Sequence, residues 1–514
     1  MTDKPVTDKT TPTDAAASVS VTPVTTGSNK VQGPANPWPA LWALVIGFFM
    51  ILVDTTIVSV ANPAIKAALD PDTANLDNVV WVTSAYLLAY AVPLLITGRL
   101  GDRFGPRTLY LVGLSIFTLA SLACGLSDSL ELLIAARAVQ GLGASLMTPQ
   151  TMAIITRTFP AQQRGAAMGL WGATSGVAML VGPLAGGVLV DGLGWEWIFF
   201  INIPVGIIGF IAAWILVPKL QNHGHRFDWF GVFLSAVAMF LLVFGLQEGE
   251  RYDWGQIWGP FSVWGLIAAG VVVLGLFIWQ QATTKSEALV PLSLFRDRNF
   301  AMSSLAIAAV GFSITAMGLP LMFFIQLARG LTPTESALLM IPMAVFAGAL
   351  SAPIGGLLDR VHPRVVLLPG ILLVAVSLAL YAVMMNADTP IWMYLIPSAI
   401  MGIGSAGMWG PLATTANRDL PVNLAGAGSS IYNTTRTVGS VMGSAAIAAF
   451  MQSRLEANLP GVGDASGGFG SGQLPAVAID GFSAAMAQSM FLPAAVMLIG
   501  FVAAAFMHRP HALR

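Results

Sequence analysis

The sequence predicts an all-α integral membrane protein of fourteen transmembrane helices, two pseudo-symmetric six-helix halves with an inserted helix pair. Three observations predict it: an apolar composition, fourteen hydrophobic runs of spanning length, and motifs that recur in both halves. Of 514 residues, 56% are hydrophobic and 10% charged, against roughly 25% charged in soluble chains, and the mean hydropathy is +0.75. A soluble globular protein is excluded. The net charge of -1 offers no polyanion-binding surface, so no nucleic-acid partner is expected. The single Cys124 cannot form an intramolecular disulfide, paired-cysteine metal motifs are absent, and no cofactor or metal is expected.

Residues 1–37, rich in Thr, Ser, Pro, Ala and Val, lack the apolar stretch of a secretory signal and read as a disordered cytoplasmic tail. A spanning helix needs about 20 apolar residues to cross a hydrocarbon core of about 30 Å. Such runs at 41–61, 80–98, 108–126, 130–148, 165–190 and 197–217 make an N-terminal bundle over 38–218. Runs at 229–246 and 261–281 form the inserted pair, within 219–285. Runs at 300–327, 336–358, 365–385, 391–414, 425–450 and 489–507 make a C-terminal bundle over 286–508, and 509–514 is a short cytoplasmic tail. Starting inside, the inner segments carry 18 Lys/Arg and 9 Asp/Glu and the outer segments 4 and 15. This positive-inside bias puts both termini in the cytoplasm. Two histidines, His223 and His225, read as a solvated inner loop, and glycine-rich 461–472 as a flexible outer connection.

The loop after the second run reads Gly98-Arg-Leu-Gly-Asp102-Arg103-Phe-Gly105-Pro106-Arg107, and that after the tenth Gly355-Gly-Leu-Leu-Asp359-Arg360-Val-His362-Pro363-Arg364. They share G-x-L-x-D-R-x-x-P-R at a spacing of 257 residues. Gly141, Gly143, Arg157, Pro160 and Gly165 recur as Gly402, Gly404, Arg418, Pro421 and Gly426 at a spacing of 261. Parallel six-helix repeats place a cavity at their interface near the membrane midplane, opened alternately to each side. Small-molecule transport is therefore expected. A respiratory proton-pumping subunit would need a line of buried Lys and Glu, and no Lys lies in a span core. An enzyme would need clustered catalytic groups, yet all five His lie in loops or the tail.

Asp54 is the one carboxylate deep within a span, where an acid costs about 2.5–3.5 kcal/mol on insertion scales and is normally functional. Burial favours its neutral form and a nearby cation its charged form, which makes it the leading proton-coupling candidate. Arg137 stays charged and can tune that acid, with Gln140 beside it at i+3. Mid-span Arg436, with Tyr432 and Asn433, forms a polar patch that could meet a headgroup, pair with another span or line the cavity. Asp102 with Gly98, Arg103, Gly105 and Arg107 reads as a latch, its carboxylate near the N-terminus of span three and its arginines pairing across to the other bundle or to Asp102. A weaker twin comprises Asp359, Arg360 and Arg364. Gly-rich span five, containing Gly182-Pro183-Leu-Ala-Gly186-Gly187, allows close helix approach and a bend.

These motifs resemble the major facilitator superfamily, and specifically its fourteen-helix drug:proton antiporter branch. The first span's Leu52-Val-Asp54-Thr-Thr56-Ile-Val58-Ser-Val60-Ala-Asn62-Pro63 is similar to L-D-x-T-I-V-N-V-A-L-P, with Ser59 and Asn62 departing. The Gly98–Arg107 loop resembles G-x-L-A-D-R-x-G-R-K with Pro106 in place of a basic residue. Arg137-Ala-Val-Gln140-Gly141-Leu-Gly143 resembles R-x-x-Q-G-x-G, and Gly182 to Gly187 resembles the G-P-x-x-G-G antiporter motif. Trp195-Glu196-Trp197-Ile-Phe-Phe-Ile-Asn202-Ile-Pro204-Val-Gly206 is similar to W-R-W-I-F-x-I-N-x-P-x-G. The resemblance implies a monomeric plasma (inner) membrane exporter of lipophilic, often cationic compounds in exchange for protons, with Arg137 in proton coupling and Gly182, Pro183, Gly186 and Gly187 limiting leak. Export of an endogenous lipid, siderophore or metabolite would use the same motifs.

Overall fold

Helices α1 (Trp38–Leu69), α2 (Asp77–Ala91), α3 (Leu94–Phe104), α4 (Pro106–Gly125), α5 (Leu130–Thr158), α6 (Ala161–Leu193), α7 (Trp197–Phe200) and α8 (Asn202–Leu216) come first in the computed structural model. Then follow α9 (Trp229–Gln247), α10 (Val263–Thr283), α11 (Arg298–Phe323), α12 (Pro333–Leu338), α13 (Ile341–Leu358), α14 (Pro363–Met384), α15 (Leu395–Ala406), α16 (Trp409–Asn417), α17 (Ala425–Asn458) and α18 (Ile479–Ala505). The structure describes residues 36–69, 77–220, 228–249, 252, 254–284, 288–358, 360–418, 420, 424–459 and 478–508. Residues 1–35, His223, His225, Asp359, 461–472 and 509–514 lie outside the described residues.

Among the described residues, 11 helices are long and apolar enough to cross a membrane, or 12 with the bent pair α2–α3. The fourteen expected spans are not all counted by that measure. Helices α6 and α17, of 33 and 34 residues, stand outside it; both are rich in glycine and small residues rather than large apolar ones. Where the sequence suggested one unbroken second span, α2 and α3 meet at 46°. Pro93 lies at the break, where its missing N–H and its ring interrupt the helical ladder. The protein is also not wholly helical: β1 (Gln256–Trp258) and β2 (Phe261–Ser262) pair antiparallel between α9 and α10, with Trp258 opposite Phe261.

The repeat read from the loops is also a repeat of packing. A β-carbon at Gly141 would stand 2.4 Å from the Tyr86 carbonyl, and one at Gly402 2.5 Å from that of Met343. A β-carbon at Gly143 would stand 2.8 Å from the Gly113 carbonyl, and one at Gly404 2.7 Å from that of Gly370. Each partner is displaced by the same 257 residues as the loop motifs, so small residues set equivalent helix crossings in both halves. One apolar cluster includes Phe300, Leu367, Ile371, Leu378 and Met490, and two others centre on Tyr110 and Leu114 and on Ile57 and Phe199.

Outward faces carry large apolar side chains, such as Ile208 and Trp214 on α8 and Trp264 and Trp279 on α10, as expected where the solvent is lipid. Helices α9 and α10 pack on each other, and α9 touches α2 and α17. Asp228 caps α9, accepting from Gly231 N–H at 2.9 Å and from the Gln280 and Gln281 amides at 3.0 and 2.8 Å. Burial alone would raise this carboxyl; the three donors outweigh it and hold Asp228 below the usual carboxylate range.

Candidate functional site

Asp54 lies on α1 and is fully buried, as are Arg137 and Gln140 on α5. The Arg137 guanidinium donates through Nη1 to Asp54 Oδ2 at 2.5 Å and to Gln140 Oε1 at 2.6 Å. Gln140 Nε2 donates to Asp54 Oδ1 at 2.9 Å and to Ser121 Oγ at 2.6 Å. Asn202, at the start of α8, donates to Asp54 Oδ1 at 3.0 Å. Arg137 Nε reaches the Val82 carbonyl at 3.1 Å where α2 passes, and its guanidinium lies 4.2 Å from the centre of the Tyr86 ring. Three donors on two helices therefore converge on one carboxylate out of contact with water. Such a pair holds a proton-exchangeable group in a defined geometry and is costly to break on one side only. Within the cluster, Arg137 Nη2 and Tyr86 Oη lack hydrogen-bond partners.

The i+3 spacing of Arg137 and Gln140 placed these two together in the sequence; Asn202 and Ser121 were not singled out. Asn202 stands in the I-N-x-P-x-G stretch, and a lone amide in an apolar run was the available signal. Two residues beyond Asp54, Thr56 on α1 meets α6, where a β-carbon at Gly182 would stand 1.9 Å from Thr56 Oγ1. Gly182 thus permits a close passage of α6 past the helix bearing the acid. Gly186 is buried and Gly187 half-buried on the same helix, which also includes Pro183.

At the end of the bundle bearing the Gly98–Arg107 turn, Asp102 pairs with Arg157 of α5 at 2.5 Å, both nearly inaccessible. Arg157 joins this site beside Arg103 and Arg107, which the sequence pairs either with Asp102 or across to the other bundle. Helix α3 continues to Phe104, so the Asp102 carboxylate lies beside Gly426, the second residue of α17, rather than capping α4. An anion at that helix start is favoured by its unpaired amides and dipole. Gly105 makes the turn at φ 90°, Arg103 is exposed over the Phe104 ring, and Arg107 donates to the Trp214 carbonyl. A β-carbon at Gly98 would meet Ser430 Cβ at 2.4 Å and the Gly426 carbonyl at 2.7 Å. In the second repeat, one at Gly355 would meet the Gly165 carbonyl at 2.2 Å, and Gly165 is the counterpart of Gly426. Arg418, the counterpart of Arg157, donates to the Leu358 carbonyl at 3.3 Å. Arg364 donates to the Met507 carbonyl at 2.6 Å, and Arg360 is exposed. Arg157→Gln is expected to destabilise this end by about 3 kcal/mol, the scale for removing one partner of a buried pair. A lowered thermal unfolding midpoint of the purified protein would register it, and an unchanged midpoint would refute it.

A small pocket is lined by Gly172, Ile314, Met317, Met343, Ala347, Ser351, Met401, Ser405 and Trp409. Its wall is mostly C-terminal and contains no carboxylate. Met401 occupies the repeat position of Gln140, Ser398 that of Arg137 and Gly311 that of Asp54, so the ionisable cluster has uncharged counterparts. Of the expected cavity residues, Gln140 is engaged with Asp54, while Tyr432, Asn433 and Arg436 lie along α17 and are not among those lining residues.

The Major Facilitator Superfamily profile matches residues 44–444. The chain belongs to this superfamily. An uncharacterised MFS-type transporter of Mycobacterium tuberculosis is 51% identical over 492 residues, covering 94% of this chain and 84% of that one. The tetracenomycin C resistance and export protein of Streptomyces glaucescens is 33% identical, covering 83% and 80%. The multidrug resistance protein Stp of M. tuberculosis is 32% identical, covering 82% and 76%. In fold, the crystal structure of the human organic anion transporter MFSD10 matches with a TM-score of 0.61 at 12% identity, covering 91% of this chain and 99% of that chain. Family and fold point to a multi-pass membrane transporter that carries small molecules, not an enzyme.

Proposed function

We propose that this protein is a proton-coupled exporter of lipophilic compounds, delocalised cations among them, working by alternating access in the plasma membrane. The observation that carries the reading is the buried Asp54–Arg137 pair, an acid of the kind a proton-driven exchanger needs. Asp54 and Arg137 then couple to protons; Gly98, Asp102, Arg103, Gly105, Arg107, Arg360 and Arg364 latch the cytoplasmic face, with Asp359 assigned to the latch by the repeat. Met317, Met343, Met401 and Trp409 offer polarisable and aromatic surface on which a diffuse cation can rest without a counter-acid. Export fits relatives named for resistance to tetracenomycin C and to multiple drugs.

The proposal includes fourteen spans, reached by adding α6 and α17 to the 11 helices and the bent pair. It includes halves at 38–218 and 286–508 around the pair in 219–285, both termini in the cytoplasm, and a monomer. One membrane acid implies one proton per cycle, so exchange for a monovalent cation is electroneutral. A pH gradient, at about 1.4 kcal/mol per unit, then drives transport, while membrane potential, at about 2.3 kcal/mol per 100 mV, does not. The test is efflux of a fluorescent lipophilic cation from loaded proteoliposomes under each gradient alone. Efflux with the pH gradient only is expected; efflux driven by potential alone would sink the stoichiometry, and none under either would sink the exchange reading.

A further inference from the structure

Arg436 stands mid-span on α17 and is half-buried, and no ion pair to it is found among the described residues. Its Nε has no hydrogen-bond partner. Arginine keeps its charge at any accessible pH, and the one carboxylate deep within a span, Asp54, is already engaged by Arg137, Gln140 and Asn202. Uncompensated charge in a bilayer faces the bundle interior or a polar cavity and marks a substrate or ion path.

The helical phase says where this residue stands. Ser429, Asn433, Arg436 and Ser440 follow at i, i+4, i+7 and i+11 and share one face of α17. At one end of that face Ser429 donates to the Pro149 carbonyl of α5, in the first half, at 3.1 Å. At the other end Ser440 donates to the Gly311 carbonyl of α11, in the second half, at 3.3 Å. The face thus lies along the junction of the two halves. Between those ends, Asn433 is fully buried with Oδ1 unpartnered, and Tyr432, 1% exposed, has an unpartnered hydroxyl one turn from Arg436. Gly311, whose β-carbon would stand 2.4 Å from the Arg436 carbonyl, is one turn from Ile314 in the cavity wall.

We propose that Arg436, with the Tyr432 hydroxyl beside it, is a binding point for an acidic group of the substrate. Its ligands are the acidic members of the lipophilic substrate class: a carboxylate meets the guanidinium, and the lipophilic body lies toward Ile314 and the methionines of the adjoining pocket wall. The inference rests on the export reading for its biological meaning, but not for its test. A carboxylate suits the guanidinium because two parallel N–H donors can engage both oxygens. A lipid headgroup does not reach the middle of the span, so the acid belongs to a cavity-borne compound.

The test uses two probes of equal shape, 1-naphthoate and 1-naphthamide, titrated calorimetrically at pH 7 into the purified full-length protein in uncharged detergent. Naphthoate is expected to bind the wild type more tightly than the amide. Arg436→Gln should weaken naphthoate about tenfold, the scale of a charge-assisted hydrogen bond, and leave the amide unchanged; Arg436→Lys should recover part of the loss. Retained amide binding also reports that the variant is folded. Equal affinity for the two probes, no binding of either, or naphthoate affinity indifferent to Arg436→Gln would overturn the proposal. Calorimetry needs no gradient, so charge-selective binding without pH-driven efflux would remove the exchange reading and leave this site standing.

Discussion

Asp54→Asn is expected to abolish efflux driven by a pH gradient while preserving exchange of labelled for unlabelled substrate in the absence of a gradient. The asparagine carbonyl can still accept from Gln140, Asn202 or Arg137, so the cluster retains part of its hydrogen bonding. What disappears is the negative charge and the ability to take up and release a proton. The lost charge leaves Arg137 buried with only neutral partners, at a cost of about 3 kcal/mol on the scale for one-sided removal of a buried pair. A lower unfolding midpoint should accompany the loss of coupling. Arg137→Lys separates charge from geometry: lysine supplies the cation without the planar fork that spans Asp54, Gln140 and the Val82 carbonyl. Coupling should fall less than in Asp54→Asn but remain below wild type. Gradient-driven efflux by Asp54→Asn at the wild-type rate would remove Asp54 from the coupling step.

The cluster shows how far local pattern reaches. Asp54 was legible because an acid in an apolar run is expensive whatever its neighbours, and Gln140 because three residues along a helix is one face. Asn202 joins the same carboxylate from 148 residues away, a distance over which no periodicity speaks. The latch behaves likewise. Its glycines and Asp102 stood out through the repeat, yet Arg157, 55 residues on, also pairs with Asp102, because α3 passes α5 before the chain turns at Gly105. Arg157 was itself visible as a repeat residue; its pairing was set by tertiary geometry. The β1–β2 hairpin was hidden because Phe261 reads as the first residue of an apolar span, while Trp258 falls in the short stretch before it. Its turn is marked by left-handed Gly259, at φ 53°.

Gly98→Ala combined with Gly355→Ala should shift the protein away from the arrangement seen here, in which the two halves meet beside the paired loop motifs. In wild type, Gly98 lies against Gly426 and Ser430 of the other half, and Gly355 against the Gly165 carbonyl. The obstacles include backbone oxygens, which cannot rotate aside as a side chain would. Relief requires helices to part, and overpacking of this kind costs about 1–3 kcal/mol per site. Two such costs at separate crossings shift the population by a factor on the order of 30 to 25,000, enough to reverse a two-state balance at the upper end. The state in which the halves part at this end escapes the penalty, so the double variant should open toward the side proposed to be cytoplasmic. Ser430→Cys reports it: Ser430 is 1% exposed in the closed crossing, and the protein's own Cys124 is buried and does not compete for label. In inside-out vesicles, an impermeant maleimide should react with the introduced thiol much faster in the double-alanine background than beside the native glycines. Equal labelling rates would show that these contacts do not hold the closed state, and the paired loop motifs would then be topological anchors alone.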